Sequence, residues 1–203
     1  MFLPSIFVEE RSHVVLSMLR QRSFGHLVCG DNGDLLSTPV PFIVDDEVQS
    51  VRMHLARPNP IFKQASSSAL LIVPAGDAYI SPSWYKSKAE HGKVVPTWNY
   101  EVVHLHGSLE IHDNSEWLYG LLNDLTDYNE RSNPTPWRVS DAPDEFIATT
   151  MKGIIGLELH VERIEAKRKL SQNRSAPDRD GVLEGLRQQD SSDNSIARSM
   201  GHG

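Results

Sequence analysis

AYISPSWYKSKAEHGKVVPTWNYEVVHLHG, residues 78–107, decides how the rest of the chain is read. Trp84, Tyr85, Trp98 and Tyr100 crowd into one short segment. An indole left in water costs roughly 25 cal/mol for each Å² of apolar surface. The segment therefore packs on a core, on a partner chain or on a flat ligand. It then runs into an alternating stretch that carries His104 and His106. Thr97–Ile111 reads as one long strand on that period of two.

Outward from this stretch, the 203 residues form an ordinary globular composition, 39% hydrophobic and 23% charged. Such a chain can bury a core without disulfides or metal. The net charge of −7 argues against a generally basic nucleic-acid surface. Cys29 is the only cysteine, cannot form an intramolecular disulfide, and reads as a small buried hydrophobe. No apolar run approaches the ~20 residues that span a bilayer. No signal peptide is visible, so the expected location is the cytoplasm.

In chain order, Glu9–Arg22 reads as an amphipathic helix, with Val14, Val15, Met18 and Leu19 on one face. Phe24–Cys29 is a short apolar run, and Gly30–Asp34 has hairpin-turn chemistry. Leu35–Val44 is strand-like, but Pro39 and Pro41 place it at an edge or bend it. In Val48–Leu55, Val51, Met53 and Leu55 share one face, with Arg52, His54 and Ala56 on the other. Pro60–Ala65 suits a short helix with Asn59 as N-cap. Ala69–Val73 is a buried strand, and Asp77–Ser81 extends it or starts the next one. Glu116–Glu130 and Asp144–Met151 are helices, Ile154–Ile164 a strand, and Asp178–Gln188 a short helix. Residues 189–203 are poor in apolar side chains and read as a disordered tail. The expectation is one domain over 1–188, mainly β with flanking helices: an α+β barrel.

No GxGxxG, Walker-type loop, CxxC, HExxH or GxSxG is present. Three constellations remain. Arg52, His54, Arg57, Asn59 and Lys63 bring cations and helix-end amides to one strand end. That is how a phosphate is held, though a solvated strand end is an equally good reading. His104 and His106 have metal-ligand spacing, but no third ligand is visible, so they read as strand imidazoles and no metal is expected. Glu90–His91 sits in a lysine-rich polar loop rather than in an acid–base site. Arg163–Arg174 is locally basic and reads as a solvated strand continuation, an anion site or a nucleic-acid contact. Within it, Ser171, Gln172 and Asn173 could hydrogen-bond a flat heterocycle.

HLARPNP (54–60), residues 78–100, VHLHG (103–107), SDAP (140–143) and KLSQNR (169–174) together resemble the PaiB-type FMN-binding negative transcriptional regulators. The resemblance covers roughly residues 1–186. It implies an FMN-binding split β-barrel, similar to pyridoxamine-phosphate oxidases, and a homodimer with flavin between subunits. It places Arg52, His54, Leu55, Ala56, Arg57, Asn59 and Lys63 at the phosphate and ribityl chain. Ser81, Thr97, Trp98 and Asn99 would approach the isoalloxazine, and Lys169, Ser171, Gln172 and Asn173 would close the site. Under this resemblance His104 and His106 line the dimer seam. The family name implies transcriptional regulation, directly on DNA or through a protein partner. An FMN-dependent oxidoreductase acting on a small molecule is the alternative, with catalytic residues unassigned. Haem is a weaker cofactor alternative.

Overall fold

The computed structural model describes residues 1–31, 34–64, 68–189 and 195–201. Its elements are α1 (Ser12–Gln21), β1 (Phe24–Asp31), β2 (Asp34–Val44), β3 (Ser50–Ala56), β4 (Ala69–Ile80), α2 (Ser87–His91), β5 (Thr97–His112), α3 (Ser115–Glu130), α4 (Asp144–Met151), β6 (Ile154–Lys169), α5 (Ala176–Gln188) and α6 (Ser195–Gly201). The strand order β1-β2-β3-β6-β5-β4 closes into a barrel. The chain divides into two compact units: residues 1–18, 74–103 and 165–203, and residues 19–73 and 104–164. Among the described residues, no helix is long and apolar enough to cross a membrane.

In the second of these units, β1 pairs antiparallel with β2, from Phe24–Pro41 to Asp31–Asp34, and with β4 along His26–Cys29. Pro39 and Pro41 lie where β2 pairs with β1, ahead of the Phe42–Val44 stretch shared with β3. Their missing N–H groups therefore cost β3 nothing. β3 buries alternate residues as its sequence predicts: Val51 opposes Leu159, and Met53 opposes Leu157. These four side chains, with Leu27, Val40, Phe42, Leu71 and Leu105, are fully buried. Cys29 is buried too, and burial pushes its thiol up to about 11, so it stays protonated and inert.

The first unit has its own core of Ile80, Tyr85, Leu170, Val182, Leu186, Ile196, Ala197 and Met200. Trp84 lies across α5 at Gly181 and Gly185. A Cβ at Gly181 would come within 2.0 Å of the Trp84 carbonyl, and one at Gly185 within 2.3 Å of its ring. Asp178 fastens the same surface, accepting from the Ser87 N–H and Oγ, each at 2.9 Å.

Three expectations need correction here. The first helix begins at Ser12, because Glu9 leaves the helix to bind the Arg11 N–H and guanidinium. β6 continues to Lys169, so half of the basic run is strand, with Lys167 and Arg168 buried. Residues 195–201 form α6, with Ile196, Ala197 and Met200 buried, where disorder is expected from the polar composition. Three apolar side chains on one helical face suffice to dock so short a helix. The rest of the expected tail (190–194, 202 and 203), the tip of the Gly30–Asp34 turn (32 and 33) and Ala65 lie outside the described residues.

Candidate functional site

The residues read as a phosphate site lie on β3 and the turn after it. Pairing with β6 sets β3: His54 opposes Gly156 and Leu55 opposes Ile155. Leu55 is core and Ala56 is exposed. His54 turns to the other face, where its Nδ1 is buried and has no hydrogen-bond partner among the described residues. Burial lowers its pKa below the ordinary 6.5, so the ring is neutral at pH 7.

The neighbouring cations are already engaged. Arg52 donates to Asp124 at 2.8 Å. Arg57 forks onto Asp113 through Nη1 and Nη2, at 2.9 and 2.5 Å. It also donates to the Lys152 and Ile154 carbonyls, at 3.0 and 3.1 Å. Asn59 caps a 3-10 turn at Pro60–Gln64, as its sequence predicts: its Oδ1 accepts from the Ile61 N–H at 3.0 Å. Its amide donates to Thr38 Oγ1 at 3.2 Å. Lys63 lies in that turn, and its side chain is outside the described part.

The remaining predicted residues gather in the other unit. Ser81 accepts from the Ser83 N–H at 3.2 Å and caps the 3-10 turn at Pro82–Trp84. Trp98 is 53% exposed and meets Tyr79, itself 45% exposed, edge to face at 6.0 Å. Lys169 donates to Thr97 Oγ1 at 2.8 Å and to the Trp98 carbonyl. Burial, then the charges of Lys167 and Arg174, lowers its pKa. Asn99 is fully buried, accepting from Ser171 Oγ at 3.1 Å and donating to Met200 Sδ at 3.6 Å. Ser171 has φ 62°, a left-handed backbone rare outside glycine. Gln172 folds back, accepting from the Leu170 N–H and donating to the Arg168 carbonyl. Asn173 is exposed.

One group escapes sequence reasoning altogether. Arg168 donates to Glu101 at 2.6 Å, to Glu9 at 3.3 Å and to the Ser199 carbonyl at 3.3 Å. Ser199 Oγ donates to the other Glu101 oxygen at 2.6 Å. The paired spacing of these charges across distant segments leaves no local signal.

Comparison with known proteins gives this arrangement a family. Residues 1–163 match the model of a family described as "Putative FMN-binding domain". The chain belongs to that family, the PaiB-type FMN-binding proteins. It is 31% identical to protease synthase and sporulation protein PAI 2 of Bacillus subtilis, over 94% of this chain and 91% of that one. It is 32% identical to an uncharacterized Aspergillus fumigatus protein, over 92% of this chain and 90% of that one. Among solved structures, the FAD and heme binding protein of Mycobacterium smegmatis superposes with a TM-score of 0.59 at 15% identity, covering 85% of this chain and 77% of that one. The fold of this PaiB-type protein is the flavoprotein split β-barrel.

Its cofactor is FMN. The side chains present fit that group. His54 offers a buried ring nitrogen that lacks a partner. Trp98 and Tyr79 offer open aromatic faces, and Lys169 offers a partly desolvated ammonium. Within each unit these are group types that a flavin mononucleotide can use, polar and charged donors for its ribityl phosphate and aromatic faces for its isoalloxazine. Arg57 and Asn59 fit less directly, since each is saturated by its own chain.

Proposed function

We propose that this protein is an FMN-dependent negative regulator that works in the cytoplasm as a homodimer, through a protein partner rather than a DNA-reading helix. The observation that carries the reading is the charge of α3 and α4. α3 holds Glu116, Asp124, Asp127 and Glu130 with no Lys or Arg, and α4 opens with Asp144 and Glu145. A helix that enters a groove must face phosphates with cations. Kinship with PAI 2, a protein named for protease synthase and sporulation, supports a role in control. In this reading the residues assigned to the flavin in the sequence remain its proposed contacts, except Arg57 and Asn59. Arg57 and Asn59 shape the turn, while His54, Trp98 and Lys169 meet the cofactor. Bound FMN supplies electron and hydride transfer; the chain binds, orients and shields it.

The test is a deletion strain compared with one complemented by the wild type, read by transcript profiling, with gel retardation by purified FMN-loaded protein. Released transcripts on deletion and no retardation at physiological salt are expected. Unchanged transcripts would overturn the regulatory reading, and retardation would return direct DNA binding.

A second reading, an FMN-dependent oxidoreductase acting on a small molecule, is favoured by the open faces of Trp98 and Tyr79. Bleaching of the flavin by NADH or NADPH without air, and recovery with an added oxidant, would support it.

A further inference from the structure

α6 is a helix of seven residues, too short to persist without the surface it docks on. It belongs to the unit that holds residues 74–103 and 165–203, and it sits on Gly76 of β4, Asn99 and Glu101 of β5 and Arg168 of β6. Ile196, Ala197 and Met200 supply its apolar grip. Ser199 supplies the polar one: its Oγ donates to Glu101 at 2.6 Å, and its carbonyl accepts from Arg168 at 3.3 Å.

The surface under α6 includes residues assigned to the flavin. Asn99 and Ser171 are 0% and 3% exposed. The Asn99 amide donates to Met200 Sδ at 3.6 Å, and a thioether is a weak acceptor. A buried amide hydrogen gains more from a carbonyl oxygen. Ser171 holds its left-handed backbone, φ 62°, while its hydroxyl donates to Asn99 Oδ1 at 3.1 Å. Strain of this kind outside glycine gathers at ligand clamps and switch regions.

The seat of α6 is also incomplete. A cleft of about 170 Å³, lined by Ala176, Arg179, Asp180 and Leu183 of α5, opens beside Met200. A well-packed interior leaves few voids wider than a water molecule. Arg179 Nε is buried with no hydrogen-bond partner among the described residues. The side chain that meets Asn99 is therefore not packed on every side.

We propose that α6 is an autoinhibitory strap. Docked as it is here, it covers Asn99 and Ser171, and these two reach a flavin only when α6 leaves its seat. The carbonyl oxygens of an isoalloxazine then offer Asn99 the stronger acceptor that Met200 does not. The strap rests on the FMN reading of these residues. It makes apparent FMN affinity scale with the fraction of chains whose α6 is undocked.

A reversible lock tests the strap in the full chain. A Cβ at Gly76 would stand 3.4 Å from Ser195 Cβ, close to the roughly 3.5–4.5 Å that a disulfide spans. Gly76→Cys with Ser195→Cys therefore ties α6 to β4 on oxidation and frees it on reduction. Cys29, buried and protonated, stays out of the exchange. FMN is titrated into both forms and followed by flavin absorbance. The oxidised form should bind FMN more weakly by about tenfold or more, and reduction should restore wild-type affinity. A closed disulfide constrains the unfolded chain, so the loss would not come from unfolding. Ser199→Ala, which removes the bond to Glu101, should tighten FMN binding by about tenfold. Where the disulfide does not close, Ser199→Ala decides. Equal affinity in the oxidised and reduced forms, or unchanged or weaker binding by Ser199→Ala, would overturn the strap and leave the FMN reading standing. No FMN uptake by the wild type would overturn the FMN reading itself, and the strap with it.

Discussion

His54 carries an imidazole where water is excluded and nothing in the described chain receives its Nδ1. Above pH 6.5 the ring is neutral whether the chain is folded or not. Below it, the unfolded chain takes up a proton that the folded chain resists. Stability is therefore full above 6.5 and falls as the pH drops below it. In flavin-free protein, Tm should decline as the pH is lowered below 6.5, and His54→Gln should flatten that decline. An identical slope in the variant would assign the acid sensitivity elsewhere. Arg168 makes the opposite kind of demand. It neutralises Glu9 and Glu101, both buried, and Arg11 and Arg168 help hold the Glu9 carboxyl down at about 2. Arg168→Ala leaves Glu101 without its cation and Glu9 with Arg11 alone, and urea unfolding should show a loss of about 3–5 kcal/mol. From sequence, Lys167 and Arg168 belong to a basic surface run. They are buried because their acidic partners lie far away along the chain, where no local pattern can announce them. His54 was legible, because strand alternation places it opposite Met53 and Leu55.

At the scale of elements, what is local in the chain was readable and what depends on docking was not. α4 spans Asp144–Met151 as its start signal and periodicity predict, and Asn59 caps the turn after β3. Both depend on neighbours within a few residues. α6 had no such signal: only Ile196, Ala197 and Met200 recommend it, and they matter through the core they join. Ile196→Ala should cost about 2–5 kcal/mol in chemical denaturation. A chain ending at Gln189 should also expose the Ile80, Tyr85 and Leu186 surface and bind more of a hydrophobic dye. Wild-type stability in both variants would show that α6 contributes nothing to the fold. The KLSQNR turn is half legible. Its polar residues were visible, but the left-handed backbone at Ser171 was not, because serine gives no sign of positive φ.

For the molecule as a whole, alternating strands with single helices between them were enough to expect an α+β barrel, and six strands close one. The division into two compact units was not foreseen, because β4, β5 and β6 each run uninterrupted from one into the other. Purified protein should be yellow, or take up FMN with a shifted flavin spectrum. Lys169→Ala should weaken that binding at least tenfold, by loss of a charged contact worth roughly 1.5–3 kcal/mol. Full flavin affinity in the variant would move the cofactor away from Thr97 and Trp98. Sedimentation of the FMN-loaded protein should give twice the chain mass. A monomer with full flavin occupancy would remove the partner chain from the site.

The pairing of Glu9 with Arg168, and of Val8 with Lys167, sets a schedule for synthesis. Glu9 and Arg168 are 159 positions apart. A ribosome adding about 5–20 residues per second needs on the order of ten to thirty seconds to cover that distance. Throughout that interval the amino-terminal segment waits with Glu9 held by Arg11 alone and its strand bridge unmade. Barrel strands β1 to β3 leave the ribosome well before their last neighbour, β6. A nascent chain of this protein thus carries an open β3 edge until β6 has been made, late in translation.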